Sequence, residues 1–294
     1  MTRWAEGFIA VDWGTTNRRA YLIGEDGSCG REFEDGRGIL SVGRGEFEAA
    51  VREVRERLGE KPMLLAGMVG SNRGWIEAPY VGCPAGLDEL AHGLVRVGDD
   101  IAIVPGVSLS DGRYDVMRGE EVQLLGAIAS GQIPADCLVC HPGTHNKWVR
   151  VSAGRIESFR TVMTGELYNL LRERSILAEV ISGEAVAGEA FCDGVKRGLS
   201  GAGLTAELFE ARARFLLGNL SEDDGASFVS GLLIGEDVQV GLKEMASSRV
   251  IAMGRPELTG LYSAALAECD VATDEVDGED AFIAGARKIA ERIQ

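Results

Sequence analysis

Residues 8–17 read FIAVDWGTTN, an apolar run that ends in an aspartate and a Gly-Thr-Thr turn. Residues 138–146 read LVCHPGTHN and repeat this order of features in the second half of the chain. Each copy is followed by two further strand-like runs joined by a small turn. Glycine lets a ligand approach the backbone, and threonine hydroxyls and turn N–H groups bind anionic oxygens. The repeat therefore predicts two phosphate-binding hairpins that hold one nucleotide in a cleft.

The composition is that of a globular protein, and the length allows one large core or two ordinary ones; we interpret the chain as two domains. The chain has 294 residues, of which 45% are hydrophobic and 26% are charged. Its formal net charge of -16 argues against nucleic acid and against an anionic membrane surface as partners. A small anionic ligand is compatible with this charge, because turn amides, a cation or a metal ion reverse the field locally. The sequence has neither a membrane-length apolar run nor a signal-peptide core, which predicts a cytoplasmic protein.

The six cysteines are scattered and are predicted to be free thiols. Residues 137–141, CLVCH, match the pattern of c-type haem attachment, and a Cys-x-x-Cys pair can also bind zinc or be redox-active. On the predicted strand, however, side chains three residues apart point to opposite faces of the sheet. We therefore interpret these cysteines as ordinary strand residues.

Helical and strand patterns follow the two hairpins in a similar order. The first half is predicted to contain a helix over 46–58, strands over 63–67 and 101–104, and a helix over 120–129. The second half is predicted to contain a helix over 166–177, a mainly helical stretch over 182–244, a strand over 250–253, a helix over 257–268, a strand over 269–273 and a last helix over 279–293. The repeat places the domain boundary near Arg118.

This duplicated order resembles the ribonuclease-H-like fold of the actin and sugar-kinase superfamily. The resemblance implies an α/β protein with two ribonuclease-H-like (actin-like ATPase) domains around a nucleotide cleft. Residues 12–17 resemble the first phosphate motif of that superfamily, residues 143–145 its second, and residues 250–258, VIAMGRPEL, its adenosine motif. The implied domains are 1–118 and 119–278, with the helix 279–294 returning to the first.

Four phrases, in the same order along the chain, are similar to those of 2-dehydro-3-deoxygalactonokinases. They are AGMVGSN at 66–72, VMRGEE at 116–121, HPGTH at 141–145 and FRTVMTGEL at 159–167. These enzymes phosphorylate the 6-hydroxyl of a 2-keto-3-deoxy sugar acid with ATP in D-galactonate breakdown. The resemblance implies ATP and Mg²⁺ as cofactors and a small-molecule sugar acid as substrate. It leaves open the choice between galactonate and gluconate forms, and whether the chain is a homodimer.

The same resemblance implies roles for individual residues. Asp12 is expected to hold Mg²⁺, directly or through water. The general base is expected at the start of the helix over 120–129, where Glu120 is favoured over Glu121. The predicted nucleotide and phosphate contacts are Gly14, Thr15, Thr16, Asn17, Arg18, Gly143, Thr144, His145, Gly254 and Arg255. His141 stands where many relatives carry an acidic residue, so its role stays open.

The carboxylate of a sugar acid is best recognised by a guanidinium that forms two parallel hydrogen bonds. Arg118 and Arg160 are the candidates for this role. The polar or stacking residues predicted to support them are Ser71, Asn72, Trp75, Thr161 and Thr164. Three alternatives are a kinase of another sugar or sugar acid, an actin-like ATPase switch, and a catalytically silent binding protein.

Overall fold

The computed structural model describes residues 3–244 and 247–293. Residues 1, 2 and 294, at the ends of the predicted domains, and residues 245 and 246, within the second one, lie outside the described residues. The chain forms two compact units. The first comprises Met1–Asp136, Val151–Ser158 and Gly278–Gln294, and the second Cys137–Arg150 and Phe159–Asp277.

The strands are β1 Phe8–Trp13, β2 Arg18–Ile23, β3 Cys29–Asp35, β4 Met63–Gly67, β5 Val81–Gly82, β6 Val95–Val97, β7 Ile101–Ile103, β8 Val107–Leu109, β9 Asp115–Met117, β10 Cys137–His141, β11 Asn146–Ser152, β12 Arg155–Val162, β13 Arg249–Gly254 and β14 Ala272–Asp277. The helices are α1 Phe47–Leu58, α2 Leu87–His92, α3 Glu120–Ala129, α4 Thr164–Arg174, α5 Glu189–Leu199, α6 Leu204–Leu216, α7 Glu222–Glu244, α8 Pro256–Ala267 and α9 Gly278–Ala290. None of the helices in the described part of the chain is long and apolar enough to cross a membrane.

The two large sheets repeat one strand order. In the first unit the order is β3-β2-β1-β4-β7-β6, and the second sheet runs β12-β11-β10-β13-β14. In each sheet the strand that precedes a Gly-Thr turn is central, with its hairpin on one side and a parallel strand on the other. This repeat confirms the predicted ribonuclease-H-like, actin-like fold class. A third, small sheet of order β5-β8-β9 was not predicted.

The first sheet is buried by α1, an amphipathic helix whose apolar residues recur at helical spacing. Phe47, Val51, Val54 and Leu58 lie in the same core as the inward side chains of β1 and β4. The parallel pairing of β1 with β4 places Asp12 opposite Ala66 in register. The carboxyl ends of these two strands therefore bring a carboxylate and a glycine-rich turn together, as is common at ligand sites of α/β sheets.

Helices α3 and α9 pack with their backbones almost in contact. A Cβ at Gly126 would lie 2.0 Å from the carbonyl oxygen of Ala281, and one at Gly285 would lie 2.0 Å from that of Val122. Both positions therefore require glycine. The pairing explains why α9, at the far end of the sequence, belongs to the first unit.

In the second unit, the mainly helical stretch consists of α5, α6 and α7. The strand predicted over 269–273 lies instead at Ala272–Asp277. After α8 the amides of Cys269 and Val271 still donate to the carbonyl of Leu266, and Asp270 has φ 58°. This left-handed turn delays the strand by three residues. The helix predicted over 166–177 begins two residues earlier, at Thr164, and ends at Arg174.

Candidate active site

The first Gly-Thr turn follows β1, and its backbone is held by the segment before α1. The amide of Gly14 donates to Asn17, while the carbonyls of Thr15 and Thr16 accept from the amides of Leu40 and Gly38. These bonds fix the backbone and leave Thr15 and Thr16 exposed. The arrangement suits the predicted contact with an anion.

Two predicted phosphate contacts beside this turn are engaged elsewhere. Arg18 has no exposed surface: its guanidinium bonds Asp35 at 2.8 Å and the carbonyl of Ala50 at 3.0 Å, and it lies 5.0 Å from the ring centre of Trp13. The prediction for Arg18 is therefore corrected to a structural ion pair, because a buried and fully engaged guanidinium cannot reach a phosphate. The side chain of Asn17 donates to Glu34 at 3.1 Å.

The carboxylate of Asp12 lies beside two glycines from other parts of the first unit. A Cβ at Gly67 would lie 3.4 Å from Oδ1 of Asp12, and one at Gly119 would lie 4.0 Å from it. Gly119 immediately precedes α3 and has φ 107°, a conformation that favours glycine. The structure thus brings together Asp12, the turn after β4 and the start of α3.

Glu120 and Glu121 begin α3 in different environments. Glu120 is partly exposed and accepts a bond of 3.0 Å from the amide of Arg118. Glu121 has no exposed surface, and its two oxygens lie 2.9 Å and 2.7 Å from the amide nitrogen of Gly119. Burial, reinforced by the charge of Glu120, raises the pKa of Glu121 to about 8. Glu120 is therefore the better placed of the two to meet a substrate.

Arg118 is a buried guanidinium with spare hydrogen-bonding capacity. It is 9% exposed, donates to the carbonyl of Ala78 at 2.7 Å and stacks 4.4 Å from the ring centre of Tyr80. Its Nε and Nη1 atoms are buried and have no hydrogen-bond partner among the described residues. Gly70 makes room for it, because a Cβ there would lie 3.0 Å from Nη1. Buried N–H groups without partners are rare, which makes the Arg118 side chain a candidate ligand contact.

The other predicted substrate contacts in the first unit lie after β4. Ser71 is buried; its hydroxyl donates to the carbonyl of Met68 at 2.8 Å and accepts from the amide of Arg73 at 3.3 Å. Asn72 is exposed on the same turn, and Trp75 is half-buried against the core. Of these three, Asn72 presents its side chain most fully to solvent, whereas Ser71 shapes the turn.

In the second unit, the second Gly-Thr turn lies against the start of α4. A Cβ at Gly165 would lie 2.5 Å from the carbonyl oxygen of Gly143, and the amide of Glu166 donates to the carbonyl of Thr144 at 2.9 Å. The ring of His145 bonds the carboxylate of Glu166, a partner that the sequence analysis did not identify. The N-terminus of α4 thus adds favourable backbone dipoles beside the predicted phosphate contact. His141, at the end of β10, is half-buried.

The predicted adenosine motif adjoins the same turn. Gly254 ends β13 with φ 151°, and a Cβ there would lie 3.7 Å from the carbonyl oxygen of Pro142. Arg255 caps α8 and is exposed. Beside them lies a cavity of about 300 Å³ with a largely apolar wall. Its lining residues are Pro142, Gly143, Thr164, Gly165, Tyr168, Arg172, Gly183, Glu184, Ala185, Ser230, Leu233, Ile234, Glu257, Leu258, Leu261 and Tyr262.

The predicted substrate contacts in the second unit differ in accessibility. Arg160 and Thr161, on β12, are half-buried. Thr164 is buried, and its hydroxyl donates to Asp237. Its predicted contact with the substrate is therefore corrected to a structural hydrogen bond within the unit.

The chemistry of Asp12 is compatible with Mg²⁺. Magnesium usually keeps several waters and takes one or two protein carboxylates together with phosphate oxygens. The flanking Gly67 and Gly119 have no side chains, which leaves room around the carboxylate for such waters. Residues 3–244 and 247–293 contain no cluster of three acidic, histidine or cysteine side chains that could hold a metal by itself.

Comparison with known proteins identifies the family. A family model described as 2-keto-3-deoxy-galactonokinase matches residues 12–289. The 2-dehydro-3-deoxygalactonokinase of Escherichia coli (strain K12) is 39% identical over 292 residues, which cover 97% of this chain and 98% of that protein. The chain belongs to the 2-keto-3-deoxy-galactonokinase family.

Solved structures agree with this assignment. A Sinorhizobium meliloti protein described under the same enzyme name is 36% identical, with a TM-score of 0.91 over 97% of this chain and 99% of that one. The activator of 2-hydroxyisocaproyl-CoA dehydratase from Clostridium difficile is only 11% identical, with a TM-score of 0.55 over 98% and 95% of the two chains, and shares the fold alone. The predicted family and fold class are thus confirmed, whereas the predicted roles of single residues other than Arg18 and Thr164 stay predictions.

Proposed function

We propose that this member of the 2-keto-3-deoxy-galactonokinase family transfers the γ-phosphoryl group of ATP to the 6-hydroxyl of 2-dehydro-3-deoxy-D-galactonate. The observation that carries the substrate class is Arg118, a buried guanidinium whose Nε and Nη1 atoms have no hydrogen-bond partner in the part of the chain that the structure describes. Arg118 directly precedes Gly119 and Glu120 in sequence. A carboxylate is a suitable acceptor for such guanidinium donors, because hydrogen bonds between a guanidinium and a carboxylate are charge-assisted and strong. Arg160 is proposed as a second contact.

The proposed transfer needs a base and charge neutralisation. Glu120 accepts the proton of the 6-hydroxyl while the oxygen of that hydroxyl forms a bond to the γ-phosphorus. The bond from the γ-phosphorus to the ADP oxygen breaks. Thr15 and Thr16, with Gly143, Thr144 and His145, are proposed to bind the phosphates. Asp12 would hold Mg²⁺, which neutralises charge on the phosphate oxygens when it is bound.

The cavity beside Gly143 is proposed to accept the nucleoside part of ATP. Its volume and largely apolar wall are suitable for a base, and Glu184 and Glu257 supply acceptors for ribose hydroxyls. Gly254 and Arg255 are proposed to contact the nucleotide from the end of β13. A cytoplasmic location agrees with substrates of this kind.

The activity is tested by a coupled assay with ATP and Mg²⁺, in which the galactonate and gluconate forms of the keto-deoxy acid are compared with neutral sugars. We expect phosphorylation of the galactonate form at a rate far above hydrolysis without acceptor. Transfer to a neutral sugar alone would replace the proposed substrate. Rapid hydrolysis that no acceptor stimulates would favour an actin-like ATPase switch.

Arg118→Gln tests the carboxylate contact directly. We expect it to weaken acceptor recognition by about 2 to 5 kcal/mol with the ATP KM nearly unchanged, since one partner of a desolvated charged bond is lost. Arg96→Gln, at an exposed arginine of the same unit, is the matched control and should behave like the wild type. An unchanged acceptor KM in Arg118→Gln would show that the acid group is bound elsewhere.

A further inference from the structure

The buried carboxylate of Asp237 accepts hydrogen bonds from two side chains that line the 300 Å³ cavity, those of Thr164 and Tyr262. Asp237, on α7, has no exposed surface. Asn146 Nδ2 lies 2.9 Å from both of its oxygens, and Trp148 Nε1 lies 2.7 Å from Oδ1. The hydroxyls of Thr164 and Tyr262 donate to Oδ2. Four neutral donors therefore satisfy the two oxygens of one desolvated carboxyl group.

The four donors come from the elements that form the cavity and the second Gly-Thr turn. Asn146 begins β11 directly after His145, and Thr164 begins α4. Tyr262 lies on α8, and both Thr164 and Tyr262 line the cavity. A shift of any one of these elements would lengthen a bond to the shared carboxylate. Asp237 thus connects the phosphate turn to two walls of the cavity.

The cost of burying Asp237 favours a role for it in fixing the positions of the surrounding elements. Apolar packing fills the interior of this unit around Asp237, with Ile234 and Val238 on the same helix in its core. A carboxyl group in such a place is costly unless its hydrogen bonds are all formed, and a complete polar network is rigid. The carboxylate therefore favours one arrangement of β11, α4 and α8 over alternatives that apolar contacts would tolerate.

We propose that Asp237 is a positioning residue for the nucleotide: its four hydrogen bonds hold the second Gly-Thr turn, the start of α4 and α8 in the arrangement that binds ATP. This inference rests on the proposed function, in which the cavity accepts the nucleoside of ATP. Asp237 itself is fully buried and is not among the residues that line the cavity.

The test is calorimetric titration of full-length protein with ATP and Mg²⁺ in the absence of acceptor. Asp237→Asn replaces one acceptor oxygen with an amide donor that faces other donors. We expect the Kd for ATP to rise at least about tenfold. In the coupled assay, the acceptor KM should stay within about twofold of the wild type. A Kd for ATP within about twofold of the wild type in a folded variant would overturn the proposal.

Two further variants keep the result interpretable. Tyr262→Phe removes one donor and keeps the ring; it should raise the Kd for ATP about threefold to tenfold and carries the test if Asp237→Asn does not fold. Glu207→Gln breaks an ion pair with Arg197, 3.0 Å long, in the same unit and away from the cavity. It should leave the Kd unchanged.

The outcomes separate this inference from the proposed function. A merely structural Asp237 would lower the Tm of Asp237→Asn and leave the Kd for ATP unchanged in both network variants. If the wild type binds ATP but phosphorylates no keto-deoxy acid, the proposed substrate is wrong. The Kd values of the variants for ATP then decide the role of Asp237 by themselves. If the wild type binds no ATP, both proposals are overturned.

Discussion

The adjacent side chains of Glu120 and Glu121 lie in different environments and are therefore suited to different roles. The two oxygens of Glu121 face the amide of Gly119 inside the protein, whereas Glu120 keeps part of its surface exposed. Glu121 stabilises the turn that precedes α3, whereas the partly exposed Glu120 is the one proposed to contact a substrate hydroxyl. Because the two residues are adjacent and of the same type, one variant at each position gives a matched pair.

Glu120→Gln is expected to lower kcat by about 10² to 10⁴ with little change in either KM, because a general base contributes to the transition state and little to ground-state binding. Glu121→Gln keeps an acceptor oxygen for the amide of Gly119 and should retain kcat within about tenfold. Steady-state kinetics with both substrates measures the two effects. Loss of turnover in Glu121→Gln alone would identify Glu121, and not Glu120, as the general base.

The buried carboxyl of Glu121 also predicts how stability depends on pH. Burial raises its pKa to about 8, well above the roughly 4.3 of an unfolded glutamate. The folded state therefore binds the proton more tightly. The stability that this proton contributes is complete below the unfolded pKa and is lost as the pH rises through the folded one.

Urea unfolding between about pH 5 and about pH 8 checks this dependence. The free energy of unfolding of the wild type should fall more than that of Glu121→Gln, with a difference on the order of a few kcal/mol. Parallel curves for the two proteins would show that Glu121 does not hold a proton in the folded state.

Single residues could be predicted from the sequence where a strand end or helix start decides their place. Asp12 and Glu120 are of this kind, and the structure brings the ends of their elements together. Arg18 was misjudged because its partner Asp35 lies on the neighbouring strand, and no local pattern reveals that pair. Asp237 was missed because it stands inside a helix, although its position between the buried Ile234 and Val238 could have marked it.

The contact between α4 and the second Gly-Thr turn predicts a strict need for glycine at position 165. A Cβ at Gly165 would lie 2.5 Å from the carbonyl oxygen of Gly143 and 3.0 Å from Cα of Thr144. Both are backbone atoms, so the turn itself would have to move. Gly165→Ala should therefore raise the KM for ATP by roughly tenfold or more, since small displacements of a binding group are costly.

Gly260→Ala is the matched control for this change. Gly260 lies on α8 in the same unit, and a Cβ there would meet nothing within 4 Å. Alanine favours the helix by about 1 kcal/mol relative to glycine, so this variant should be as active as the wild type and slightly more stable. Equal ATP KM values for the two variants would show that the turn adapts to Gly165→Ala.

Elements with local periodicity were predictable, and those that depend on distant pairing were not. Helix α3 begins and ends at the predicted residues, because its apolar spacing and the flanking glycine and serine lie within one segment. Strands β5, β8 and β9 have two or three residues each and exist through pairing across the first unit. Strands this short carry no alternation that a sequence analysis could detect.

The first unit is discontinuous in sequence. Its last helix, α9, follows the entire second unit along the chain. The helix buries Phe282, whose ring lies 5.7 Å from that of Tyr21 on β2, and it packs on α3 through Gly285. Without α9, the first unit would therefore lack part of its core.

A chain that ends at residue 277 should consequently fail to form a stable first unit. Loss of α9 would expose the faces of α3 and β2 that it covers, and a buried phenylalanine alone is worth about 3 to 5 kcal/mol. We expect limited proteolysis to digest residues 3–136 of this chain rapidly, and urea unfolding to lose the transition of that unit. Gly285→Ala, whose Cβ would lie 2.0 Å from the carbonyl oxygen of Val122, should shift the same transition to lower urea, because the two helices must separate. Addition of a peptide of residues 278–294 to the shortened chain should restore part of the protection. A shortened chain that unfolds at the same urea concentration as the full protein would show that the first unit is complete without α9.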